Sequence, residues 1–176
     1  MKSLLSPSLL LSLSLSLHVH LLAVDIDQTQ VDQSDGFAVQ SSDKSLAIEW
    51  NSPEGRASME LQFIPRRGGT PAASLIRRFT LDGQTTLEGL DPNYLFWIGE
   101  RDLEKRSGWS IFFDRVPTRP YTVEKGYLFP EHVHVSTNET RATIEIDGLS
   151  SERFSGSLAF TLYHGSPFVR MEARVS

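Results

Sequence analysis

The sequence predicts an all-β fold, an antiparallel β-sandwich, and three observations carry the prediction. Short stretches alternate apolar and polar residues, as in Leu46-Ala47-Ile48-Glu49-Trp50 and Met59-Glu60-Leu61-Gln62-Phe63, the period of a half-buried strand. Clusters of Gly, Pro, Asn, Asp and Ser separate these stretches about every eight to twelve residues. Nowhere do apolar residues recur at helical spacing over about 11 residues.

The chain begins differently. Met1-Lys2 makes a short positive start, and no Asp, Glu, Lys or Arg follows until Asp25. A Leu/Ser run from Ser3 to Val24 lies between, with the small residue Ala23 near its end. A basic start, an apolar centre and a small-residue exit form a secretory signal. The run is also long enough to compete as a membrane anchor, and its Ser-Leu alternation competes as a buried strand. Ser6, Pro7, Ser8, Ser12, Ser14 and Ser16 dilute its hydrophobicity, which favours a cleaved signal over residues 1–23. Removing those 23 of 176 residues leaves 153, enough for one domain with a core of its own.

The chain has no Cys, which excludes both a lipid-modified cysteine and the disulfide staples of many small secreted domains. Packing alone must hold the domain, which suits a secreted, periplasmic or cell-envelope protein of bacterial type. Loss of Lys2 takes the formal net charge from −5 to −6. A mildly acidic chain offers little to a phosphate backbone, so no nucleic-acid partner is expected. No membrane partner is expected after signal cleavage.

Residues 24–35 carry Asp25, Asp27, Asp32 and Asp35 among Gln and Ser and read as a solvated lead-in. The sandwich is expected over 36–176. Its first strands are Phe37–Val39, Leu46–Trp50 and Met59–Phe63, the last two joined by the turn-rich Asn51–Gly55. Pro65–Pro71 is a loop; its Arg66-Arg67-Gly68-Gly69 lacks the Gly-Lys-Ser/Thr ending of a phosphate-binding loop. Ile76–Leu81 and Thr85–Leu87 flank the hairpin turn Asp82-Gly83-Gln84. Tyr94-Leu95-Phe96-Trp97-Ile98 is a continuous apolar run, the mark of a strand covered on both faces. Glu100–Ser107 is a charged turn, and Trp109, Ile111 and Phe113 mark another strand. Gly126–Phe129, His132–Ser136, Ala142–Asp147 and Phe154–Tyr163 follow. In the last strand Val169, Met171, Ala173 and Val175 form an apolar face opposite Arg170, Glu172 and Arg174. That strand runs to the final residues without a turn, so a further neighbouring strand is expected and the chain reads as the N-terminal part of a longer sandwich.

Three groups are candidates for chemistry. His132 and His134 share a strand face and could offer two imidazoles to a metal, yet further ligands are not legible, so they stay weak candidates and no cofactor is expected. Glu131 points the other way. Glu100, Asp102 and Glu104 could act as paired carboxylates on a glycosidic bond, but Arg101, Lys105 and Arg106 interleave with them as in a self-neutralised loop. Among the aromatics most must be core; Trp97 is either core or, turned outward beside Glu100 and Arg101, a sugar-stacking platform with hydrogen-bonding neighbours. No Gly-x-Ser-x-Gly elbow is present, and Asn138-Glu139-Thr140 fits a glycosylation acceptor of the eukaryotic secretory route.

Leu158–Val175, with its strand, Gly165-Ser166-Pro167 turn and Val169-Arg170-x-Glu172 strand, resembles a strand pair of the galactose-mutarotase-like supersandwich proteins. The resemblance covers about eighteen residues and implies a carbohydrate-binding or carbohydrate-processing protein, with Trp97, Glu100 and Arg101 as the binding candidates and polysaccharide or glycan as the partner. No counterpart of the mutarotases' catalytic motif is present, so it assigns no catalytic pair. Leu46-x-Ile48-x-Trp50 with Pro53-Glu54-Gly55, and Leu90-Asp91-Pro92 further on, are similar to fibronectin type III modules. Tyr94 falls two residues after Pro92 rather than at that family's usual spacing. This second resemblance implies an adhesion or spacer module without a small-molecule site.

The signal reading makes a direct prediction. Exported protein analysed by intact-mass spectrometry should begin at Val24; exported chains that retain Met1–Ala23 would indicate an anchor instead.

Overall fold

The structure, a computed structural model, describes residues 24–64, 74–92, 94–99 and 120–176. The signal segment, the Pro65–Pro71 loop, the charged Glu100–Ser107 stretch and the expected strand at Trp109–Phe113 lie outside the described residues. In chain order the strands are β1 (Asp25–Gln30), β2 (Ala38–Ser42), β3 (Ser45–Ser52), β4 (Gly55–Gln62), β5 (Ile76–Leu81) and β6 (Gln84–Leu90). Then follow β7 (Tyr94–Gly99), β8 (Tyr121–Leu128), β9 (His132–Asn138), β10 (Arg141–Ser150), β11 (Ser155–Tyr163) and β12 (Val169–Val175).

They form the expected all-β sandwich. One sheet is the meander β2-β3-β4-β5-β6; the other runs β1-β9-β10-β11-β12, with β7 and β8 attached beside β10. Period-2 alternation explains the layers. Leu46, Ile48 and Trp50 of β3 and Ala57, Met59 and Leu61 of β4 all turn inward and are buried. They meet Val133 and Val135 of β9, Ala142, Ile144 and Ile146 of β10, and Leu158, Phe160 and Leu162 of β11 in one cluster. Between β5 and β6 the chain reverses through Asp82 and Gly83, at φ 48° and 73°, the left-handed pair that suits a two-residue hairpin.

Two expectations need correction. The stretch expected as a solvated lead-in contains β1, which pairs in parallel with β9 in the register Asp25↔His132 and Asp27↔His134. Backbone ladder bonds hold this strand, and Ile26 and Val31 pack against the core; a polar composition conceals both. The second concerns β12. Val169 packs against the core, but Met171 and Val175 are each 42% exposed, so the expected apolar face is only partly covered. Strand order supplies the reason: β12 is the last strand of its sheet among the described residues, and an outermost strand extends past the layer beneath it.

The seam that positions the site lies along β10. Its first part pairs with β9 as far as Ile146↔Val133, and its end pairs with β8 at Leu149↔Leu128 and Ser150↔Tyr127. Between these, Gly148 is an extra residue in the ladder to β11, a β-bulge. Phe129 N donates to Gly148 O at 2.9 Å, and Glu131 N to Asp147 O at 3.3 Å. Pro130 between them has no N–H to give. Here the chain leaves the sheet, and β7 with β8 continues as a two-stranded ribbon.

Trp50 anchors the opposite end of the core. It is buried, and its Nε1 donates to Ser166 O at 2.7 Å. Replacing Trp50 by Ala should cost about 3–5 kcal/mol of unfolding free energy in a denaturant titration. A loss below about 1 kcal/mol would contradict this core placement.

Candidate functional site

The ribbon pairs β7 with β8 from Tyr94↔Gly126 to Gly99↔Tyr121. Alternation gives it an inner and an outer face. Tyr94, Phe96 and Ile98 lie on the inner side, where Phe96 meets the Phe154 ring at 5.7 Å. The Tyr94 hydroxyl is buried without a hydrogen-bond partner among the described residues, and burial holds its pKa above the ordinary tyrosine value.

Glu124 fastens this inner face to the β10–β11 connection. It is buried, and its Oε2 accepts from Ser151 Oγ at 3.1 Å and Arg153 N at 3.2 Å. The Arg153 Nε lies 2.9 Å from Oε1, close enough for charge pairing but out of line for a hydrogen bond. Three partners for a buried carboxylate offset its desolvation and orient the strand that carries it.

The outer face is apolar and open. Leu95 is 62% and Trp97 49% exposed, and Tyr121, Val123, Tyr127 and Phe129 are exposed beside them. This corrects the expectation that the 94–98 run is covered on both faces: among the described residues no second sheet lies over the outer side of the ribbon. Trp97 is therefore not a core residue; its side chain lies half-exposed on the outer face. Its ring stacks on Tyr121 with centroids 5.0 Å apart and planes 1° from parallel. Further along, Lys125 Nζ sits 5.3 Å from the Tyr127 ring centroid, a cation–π distance, and Tyr127 stacks on Phe129 at 6.4 Å. Glu100 and Arg101, expected to flank Trp97, lie outside the described residues. Tyr121, Tyr127 and Phe129 were legible as a period-2 row, Tyr121-x-Val123-x-Lys125-x-Tyr127-x-Phe129; only its later part reads as a strand from composition.

His132 and His134 do share an exposed face of β9. Carboxylates surround them: His132 Nδ1 lies 3.4 Å from Asp25, His134 Nδ1 3.7 Å from Asp27, and His134 Nε2 3.5 Å from Asp147. These are direct side-chain pairings across strands. No group of three or more His, Cys, Asp or Glu among the described residues is placed to hold a metal ion. The register of β1 against β9 supplies two of the three aspartates, a parallel pairing that no local pattern announces. The polar row continues across the sheet: Glu145 accepts from Ser157 Oγ at 2.5 Å and from Arg174 Nη1 at 2.6 Å.

With this geometry in view, the chain was compared with protein-family models, curated proteins and solved structures; it matches none of them.

Asp27 supports a pH prediction. The Thr29 N–H at 2.9 Å is the main reason its carboxyl is held below the ordinary value of 3.8, followed by the Thr29 hydroxyl and His134. A depressed folded pKa contributes stability that is present above the unfolded value and lost as pH falls through the folded one. Replacing Asp27 by Asn should therefore lower the denaturant midpoint at neutral pH and flatten its decline below about pH 4. Parallel wild-type and variant curves across that window would contradict the assignment.

Proposed function

We propose that the protein is an exported β-sandwich that binds carbohydrate, a polysaccharide or a glycan, on the outer face of the β7–β8 ribbon. The observation that carries this reading is the parallel, half-exposed Trp97–Tyr121 pair across the β7–β8 ribbon. A pyranose ring presents an apolar C–H face, and flat aromatic side chains offer it a large contact area at a small cost in side-chain entropy. Tyr hydroxyls and the Trp N–H at the rim can then bond sugar hydroxyls. The Leu/Ser run after Lys2 and the absence of Cys favour a secreted, periplasmic or cell-envelope location. The resemblance of Leu158–Val175 to galactose-mutarotase-like proteins points to the same ligand class.

A second reading has its own observation. Leu95 and Val123 interrupt the aromatic row with exposed aliphatic surface, which offers a sugar neither ring face nor hydrogen bond. Such surface fits the protein contact of an adhesion or spacer module, the role implied by the fibronectin-like segments.

A panel of neutral and acidic polysaccharides in affinity electrophoresis and titration calorimetry separates the two. On the carbohydrate reading, Trp97→Ala and Tyr121→Ala each weaken binding by about tenfold or more, while Thr85→Ala, exposed on β6 of the smaller sheet, changes nothing. Absence of binding across the panel, or binding indifferent to Trp97, would favour the module.

A further inference from the structure

The edge of the larger sheet shows how a partner strand would fit against it. Ser155 and Ser176 exchange backbone hydrogen bonds in both directions, and the β11–β12 register is regular. In an antiparallel ladder bonded pairs alternate with unbonded ones. Arg174, Glu172 and Arg170 therefore point their N–H and C=O groups at β11, and Val175, Ala173, Met171 and Val169 point theirs away. No strand among the described residues takes up these outward groups.

Natural edges are blunted by charged side chains, proline, bulges or short strands, and charges of one sign would also repel a second copy. Here Arg170, Glu172 and Arg174 alternate in sign, with Arg170 and Glu172 2.6 Å apart. Phe168, just before the strand, is 79% exposed, and Met171 and Val175 are part-exposed on the other side.

We propose that β12 is an interaction surface for a second copy of this chain, pairing antiparallel with its own copy about a two-fold axis through Met171. Two constraints select that register. Outward backbone groups must meet outward groups, so odd-numbered residues face odd-numbered ones. Among the central registers that satisfy this, a two-fold at Glu172 sets Glu172 against itself and Arg170 against Arg174, which repel. A two-fold at Ala173 pairs Glu172 with Arg174 but sets Arg170 against the uncharged Ser176 side chain. A two-fold at Met171 pairs Arg170 with Glu172 of the second copy, twice by symmetry. It also sets the exposed Phe168 beside the aliphatic stem of the second copy's Arg174. On the other face Met171 meets Met171, and Val169 meets Ala173. The ten-strand row so formed extends the sheet at the end opposite β1, and it rests on the edge geometry alone.

The absence of Cys makes the test clean. In sedimentation velocity the full chain should dimerise reversibly. Met171→Cys should cross-link as a homodimer under mild oxidation, since facing bonded residues sit about 5.5 Å apart, within disulfide reach; Ala173→Cys, which faces Val169 and lies out of reach of its own copy, should not. Arg170→Glu should weaken the dimer by about tenfold, and adding Glu172→Arg should restore it, a rescue that loss of folding or association through the Leu/Ser run would not show. A monomer at about 100 µM, well above a micromolar Kd, overturns the proposal and points to a different occupant of the edge. Cross-linking through Ala173→Cys instead overturns the register, and a double exchange that fails to restore the dimer overturns the charge pairing.

Discussion

At Gly148 the backbone takes φ 101°, and the carbonyl oxygen of Phe129 stands 1.8 Å from where a Cβ would be built. Only a residue without a side chain can occupy that point, because both the torsion and the close approach exclude one. The consequences spread outward from it. The bulge ends the β9–β10 ladder, Phe129 bonds back to the bulged residue, and β8 departs from the sheet at Pro130. Had the ladder continued, the residues of β8 would have been another layer strand with one face in the core. Instead the ribbon shows its Trp97–Tyr121 face to solvent.

A ribbon of two strands is marginal by itself. Glu124 supplies much of what a third strand would, binding Ser151, the Arg153 amide and the Arg153 guanidinium side. The Phe96–Phe154 contact adds apolar burial on the same inner face. One face is therefore used for attachment and the other left for recognition, a division of labour that follows from strand alternation.

Far from the ribbon, Trp50 joins the sheets by a different device. Its indole N–H reaches the carbonyl of Ser166 in the turn between β11 and β12, and Gly165 N donates to Asn51 O at 3.1 Å beside it. The ring of Phe37 meets His164 edge-on at 6.0 Å. A turn that looks like simple punctuation in the sequence is thus seated on the end of the smaller sheet, and this fixes where β12 begins. The polar side chains of β12 are then drawn across the outer face through Arg174 and Glu145, and its far edge is the sheet's margin among the described residues.

Local pattern by itself determined the class of fold, the strands between Val39 and Leu87, the Asp82-Gly83 reversal, and the alternating faces of β3 and β4. Each depends on which of two faces a side chain takes, and that is written in alternation. The outward position of Trp97 was open to the sequence only as one of two alternatives, because a strand of continuous apolar residues reads the same whether one face or both are covered. Only the tertiary structure decided that β1 is a strand, that Asp25 and Asp27 stand beside His132 and His134, and that Tyr121 comes from the far side of a long connection to stack on Trp97. Those outcomes depend on register between segments distant in the chain and on how far each sheet extends over the other. Neither leaves a local signature: backbone ladders bond any residue but proline, and coverage is a property of the layer above.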